Sequence, residues 1–259
     1  MIKLLIFAGL RDRFFDLGNS FVELLKSKTP KNIRSEMKTA KFYSQFINKN
    51  DLCFDIGANM GNRIQIFLKL GAIVIAVEPQ PILQEKLLKK YRRNIRVVLI
   101  KKGVGEKEGE GELMICNAHT LSSMSKEWIK SVTVSGRFNT FKWERIQKIR
   151  LTTLDKMIEE YGLPTFCKID VEGFELQVLK GLSKPIRTVS FEFTPEFITS
   201  TIKAIEHLSR IGFTEFNYSI GESMKLDMPK WVSNKEICVT LNNLTDKRIF
   251  GDVYARALI

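Results

Sequence analysis

Residues 52–212 alternate short apolar runs with segments of helical spacing, and this alternation narrows the fold more than any other feature of the chain. LCFDI (52–56), AIVIAVEP (72–79), IRVVLIKKGVG (95–105), TFCKIDVEG (165–173) and TVSFEFTP (188–195) read as buried strands. NRIQIFLKLG (62–71), PILQEKLLKKYRRN (81–94), FELQVLKGL (174–182) and ITSTIKAIEHLSRIG (198–212) read as helices. Strands that are apolar at nearly every position need cover on both faces. The pattern therefore predicts an α/β fold, a mainly parallel sheet between two helical layers. Such sheets bind ligands at the carboxyl ends of their strands.

The flanking segments add detail. GEGELMIC (109–116) reads as a further strand. Residues 118–147 show little period and suit a long excursion over a site. Residues 149–162 read as a short strand and a helix, with Thr152 or Thr153 as its N-cap. FTEFNYSI (213–220) and RIFGDVYARAL (248–258) read as an antiparallel C-terminal pair. Helical spacing recurs over 10–29 (Phe14, Leu17, Phe21, Leu24, Leu25) and 33–48 (Met37, Phe42, Phe46). This divides the chain into a helical arm, 1–48, and one domain, 49–259, in which 118–147 is an insertion covering the substrate.

Composition bounds the partners. Of 259 residues, 44% are hydrophobic and 27% charged, ordinary for a globular chain. The net charge of +12 is spread over the whole length, as on a solvated lysine-rich surface. It also suits acidic partners, nucleic acid among them. Cys53, Cys116, Cys167 and Cys238 form no C-x-x-C pair, which points to reduced thiols and a cytoplasmic setting rather than a disulfide framework or zinc site. The apolar start, MIKLLIFAGL, is too short to span a bilayer and precedes no small-residue cleavage site.

The chemistry gathers at the strand ends. Asp55, Gly57 and Gly61 sit where the first strand turns into a helix, and glycine there exposes backbone to a ligand. Glu78, followed by Pro79, closes the next strand, where an acid can accept hydrogen bonds from both ribose hydroxyls of an adenosine. The P-loop pattern G-x-x-x-x-G-K-[ST] is missing. Asn59 stands where the dinucleotide fingerprint has its second glycine, which makes room for pyrophosphate. A nucleoside cofactor without phosphate fits better. S-adenosylmethionine has a cationic sulfonium and amino group that would sit well near Asp55.

DIGANMG, AVEPQP, VGEKEGEGEL, LTTLD, KIDVEGFELQVLKG and SFEF follow one another in the order and rough spacing of the FkbM family of S-adenosylmethionine-dependent methyltransferases, which the chain resembles over about residues 35–215. The resemblance implies a class I, Rossmann-like methyltransferase fold and methyl transfer to a hydroxyl, most often of a sugar or natural product. It implies that Asp55, Gly57, Asn59 and Gly61 surround the methionine part and that Glu78 and Pro79 flank the ribose. Gly103 and Val104 would line the adenine. Asp170 and Glu172 would face the transferred methyl.

Transfer to a hydroxyl gains from a general base. Asp170 and Glu172, two apart in an extended strand, would share one face, and paired acids raise one pKa. They could equally bind Mg²⁺ that acidifies the hydroxyl. Glu172 could instead pair with Lys168 or cap the next helix. Glu192, at the end of the fifth strand, could bind substrate or pair with a lysine. His119 opens HTLSSM in the covering segment and is a further candidate base. His207 reads as surface or packing, Ser122 and Ser123 as weak ligand contacts, and Phe138, Phe141 and Trp143 as core. Two other functions compete: an RNA ribose 2′-O-methyltransferase that uses the basic surplus on phosphate, and a non-catalytic cofactor-binding scaffold.

Overall fold

A computed structural model of the chain describes residues 30–244, 246 and 249–258. The helix expected over 10–29 lies outside the described residues. The elements in chain order begin with α1 (Pro30–Tyr43), β1 (Leu52–Ile56), α2 (Asn62–Lys69), β2 (Ile73–Val77), α3 (Pro81–Tyr91), β3 (Val97–Ile100), β4 (Gly103–Val104) and β5 (Gly109–Cys116). Then come α4 (Lys126–Val134), β6 (Trp143–Thr152), α5 (Leu154–Tyr161), β7 (Phe166–Ile169), α6 (Glu175–Lys180), β8 (Thr188–Phe193), α7 (Ile198–Arg210), β9 (Glu215–Ile220), α8 (Asn234–Asn242) and β10 (Gly251–Arg256).

Seven strands form one sheet in the order β3-β2-β1-β7-β8-β10-β9. Pairs β1–β2, β1–β7, β2–β3 and β7–β8 are parallel. β10 runs antiparallel to both β8 and β9. This is the class I methyltransferase, Rossmann-like arrangement, a sheet between helical layers with one reversed strand inserted near its edge. The C-terminal pair expected from sequence is present.

Both sheet faces are buried, as the apolar runs require. Phe54, Ile56, Cys167, Ile169, Val189 and Phe191 point into one core cluster. Cys53, Val74, Ala76, Phe166 and Tyr254 point into the other. That second cluster also holds Phe42, Tyr43, Phe46 and Ile47 at and beyond the end of α1. The core thus runs across residue 48, where sequence suggested the end of an arm. Met37, expected on the apolar stripe of that helix, is exposed.

Three expectations change. The third strand, expected over 95–105, breaks after Ile100, and its remainder, β4, joins a separate sheet of order β4-β6-β5. The excursion over 118–147 has structure of its own: a 3-10 turn at His119–Leu121, α4, and the first half of β6. Ser125 caps α4 by accepting from the Trp128 amide. Trp128, with Phe138, Phe141 and Trp143 packed on it, forms a small aromatic core, so these rings are packing residues. β7 ends at Ile169, before both acids, so Asp170 and Glu172 do not share a strand face. α8 was not anticipated. Thr153, one of two expected caps, accepts from the Lys156 amide at the start of α5.

Candidate active site

Two cavities meet at the carboxyl ends of β1, β2 and β7. The first, of about 530 Å³, lies between Gly57, Asn59, Glu78, Pro79, Gly103 and Val104 on one side and the 119–124 segment on the other. The second, of about 1350 Å³, is walled by Ser35 and Thr39 of α1 and by Asp55, Arg63, Lys168 and Glu222. Gly57, Asn59, Thr120, Asp170 and Glu172 line both.

Gly57 shows why this loop has glycine. Its φ is 85°, and a Cβ there would lie 1.9 Å from the Asp170 carbonyl oxygen. The loops after β1 and β7 touch backbone to backbone. Gly61 lines neither cavity. It packs against Leu87 and Tyr91, and its carbonyl accepts from the Tyr91 hydroxyl at 3.2 Å.

Glu78 is buried, and its two carboxylate oxygens accept from the Asn59 amide and the Gln80 amide, both at 2.8 Å. It thereby ties the β1 loop to the end of β2. Burial raises its pKa to about 7 against these two hydrogen bonds. Each oxygen keeps a lone pair for a ligand in the first cavity.

Asp55 opens to the second cavity. It is buried, and its Oδ2 has no hydrogen-bond partner among the described residues. Burial raises its pKa to about 7, while Lys168 and Arg63 pull it down.

A polar row explains the electrostatics. Register places Asp55 beside Lys168, Lys168 beside Ser190, and Ser190 beside Tyr254. These side chains lie on the face that α1 covers. Lys168 Nζ is fully buried and donates to Asp252 at 2.9 Å and Asp170 at 3.1 Å. Its pKa is raised by those two carboxylates against the effect of burial. The alternative pairing of Lys168 with Glu172 is not the one present.

The acids gather instead. Carboxylate oxygens of Asp170, Glu172 and Glu192 lie within 4.8 Å of one another. Burial and neighbouring carboxylates push Glu172 and Glu192 well above the usual carboxylate range. Glu172 takes the left-handed backbone, with φ at 53°, and its carbonyl accepts from Ser123 Oγ at 2.6 Å. Glu175 fixes the same loop: its Oε1 accepts from the Val171 and Gly173 amides at 3.1 Å each. The helix-capping role considered for Glu172 is not taken: the N-cap of α6 is Phe174, with no side-chain cap, and Glu175 ties down the loop before it.

The remaining candidates are distributed as follows. His119 is exposed at the rim of the first cavity, and its carbonyl accepts from Gln80. Ser122 Oγ donates to Gln80 Oε1 and accepts from the Cys116 amide, so it holds the covering segment to β2. His207 Nε2 bonds the Leu182 carbonyl, a packing contact. Sequence reading missed Arg63, Asp252 and Glu175 as parts of the site. Only Glu175 had a local signal, an acid in the first turn of a helix that follows a glycine.

Comparison with known proteins gives the site its setting. The Methyltransferase FkbM domain matches residues 55–221, more than half of the chain. Hexuronic acid methyltransferase AglP of Haloferax volcanii is 25% identical over 169 residues, 62% of this chain and 62% of that protein. The matched stretch is thus less than two thirds of that relative's length. Precorrin-6y C5,15-methyltransferase from Geobacter metallireducens superposes at a TM-score of 0.45 with 10% identity, over 85% of this chain and 87% of that one. A TehB-like SAM-dependent methyltransferase from Corynebacterium glutamicum gives 0.44 and 10%, with the same two coverages. These two likenesses are too distant to say anything of chemistry. The domain match, in contrast, contains the whole lining of the first cavity, and on that ground the chain belongs to the FkbM family.

Proposed function

We propose that the protein transfers a methyl group from S-adenosylmethionine to a hydroxyl of a sugar. The observation that carries this is the meeting of two cavities at Asp170 and Glu172, one lined by Glu78, Gly103 and Val104 and the other by Asp55, Arg63 and Lys168. The residues present fit the cofactor. Glu78 would take the ribose, Gly103 and Val104 the adenine, and the loop of Gly57 and Asn59 the methionine part. The orphan Oδ2 of Asp55 marks a buried anion that a cationic ligand would satisfy. When bound, the cofactor supplies an electrophilic methyl on a sulfonium.

Asp170 is the base in this reading. Its carboxylate faces Lys168, lines both cavities, and accepts the proton that leaves the acceptor hydroxyl. Burial and like charge push Glu172 and Glu192 above the usual carboxylate range, which favours the protonated form beside Asp170, and Glu172, which lines both cavities, can donate a hydrogen bond that orients the acceptor. The sugar class finds support in the relative named as a hexuronic acid methyltransferase.

Asp170→Asn should keep affinity for S-adenosylhomocysteine while lowering kcat by about 10²–10⁴. Glu78→Ala should lose that affinity by calorimetric titration. An Asp170→Asn enzyme that methylates a sugar acceptor as fast as wild type would overturn the assignment. The oxygen-only trio of Asp170, Glu172 and Glu192 also has the chemistry of a Mg²⁺ site. Proton transfer without metal predicts full activity after exhaustive chelation, and a metal role predicts loss restored by Mg²⁺.

A further inference from the structure

The second cavity contains a cation that the methyl-transfer reading does not use. Arg63 stands in the first turn of α2, directly after the loop that borders both cavities. Its guanidinium lies 5.6 Å from the Tyr43 ring centroid, and its side chain is only 18% exposed. Packing therefore holds it in one orientation. Nη2 donates to both oxygens of Glu222, at 2.6 and 2.8 Å. Glu222 is 65% exposed and sits in the turn after β9. An ion pair with so exposed a partner contributes little to stability. It is easily exchanged for another carboxylate, and Nε and Nη1 offer further donors.

Resting on the sugar-methyltransferase reading, we infer that Arg63 recognises a carboxylate on the acceptor, so that the substrate is an acidic sugar, and that Glu222 holds that place in the free enzyme. The Glu222 carboxylate shows the shape that fits. Lys168 does not compete for the acceptor, since Asp170 and Asp252 occupy it. Arg63 is then a specificity residue of the second cavity.

The test titrates enzyme saturated with S-adenosylhomocysteine with methyl glucuronide, methyl glucoside and glucose 6-phosphate. Wild type should bind the glucuronide at least about tenfold tighter than the glucoside, the ordinary worth of a charge-assisted pair. Glu222→Gln, an exposed change that leaves the fold intact, should tighten the glucuronide several-fold and leave the glucoside alone. Arg63→Gln should erase the preference. Equal binding of the two glycosides, binding of neither, preference for the phosphate, or no gain in Glu222→Gln would each overturn the inference. Failure of S-adenosylhomocysteine itself to bind would instead sink the proposed function.

Discussion

Lys168 is buried and pairs with both Asp170 and Asp252, and Asp55 stands beside it in the register. Removing it leaves uncompensated charge in the core. Lys168→Ala should lower unfolding stability by about 3–5 kcal/mol, read by denaturant titration. Replacing Lys168, Asp170 and Asp252 together with apolar residues should recover part of that loss, which separates charge isolation from cavity formation. Asp55 adds a pH dependence. Its folded pKa of about 7 lies above its ordinary 3.8, as do those of Glu78 and Glu175, both about 7 against 4.5. Folded protein therefore binds more protons than unfolded protein between these limits. The stability these groups lend is fully present below about pH 4 and is lost as pH rises through about 7. Without cofactor, the melting temperature should fall across that window, and Asp55→Asn should flatten the fall. An unchanged slope in the variant would assign the effect to other acids. Asp55 and Glu78 were legible in sequence because each ends a buried apolar run. Lys168 was not, since a lysine within FCKI reads as a break in burial, and its partner Asp252 lies 84 positions away.

The loop after β7 does more than any other element to shape the site. Sequence reading extended the strand through Val171 to Gly173, because KIDVEG keeps an extended pattern. Tertiary contacts end it early: Glu175 gathers the Val171 and Gly173 amides, and Gly173 takes φ 87° under the Trp128 ring. A Cβ at 173 would stand 2.1–2.5 Å from Trp128 atoms. Gly173→Ala should thus destabilise by about 3 kcal/mol or more, combining overpacking with left-handed strain. Gly173→Ala with Trp128→Ala would remove the ring from the clash but keep the 2.3 Å approach to the Trp128 Cβ, so the double variant should recover only part of the loss and show a coupling in the cycle. Glu175→Gln keeps one amide-binding oxygen and should melt near wild type, while Glu175→Ala strands two amides and should cost about 1–3 kcal/mol. Glycine at 173 was visible in the sequence. Its need was not, because Trp128 arrives from a segment read as a structureless cover.

At the scale of the whole molecule, the segment around residues 42–47 joins the sheet rather than extending from it. Phe46 stacks on Phe166 of β7 and on Tyr254 of β10, with centroids 5.5 and 5.4 Å apart. Phe46→Ala should cost about 3–5 kcal/mol by thermal or chemical unfolding. A loss under about 1 kcal/mol would restore the picture of an independent arm. The same segment carries Ser35 and Thr39 to the second cavity, so α1, outside the matched family domain, helps shape that cavity. By itself the sequence determined the layers and the strand ends at which the two cavities lie. Burial on both sheet faces must be written as apolar runs, and ligands must approach where those runs end. The neighbours across the sheet were decided only by tertiary structure: the entry of β10 between β8 and β9, the pairing of Lys168 with Asp252, and the meeting of Arg63 with Glu222. Those contacts join residues 84 and 159 positions apart. No local period encodes such a distance; it is set by strand order and closed by packing.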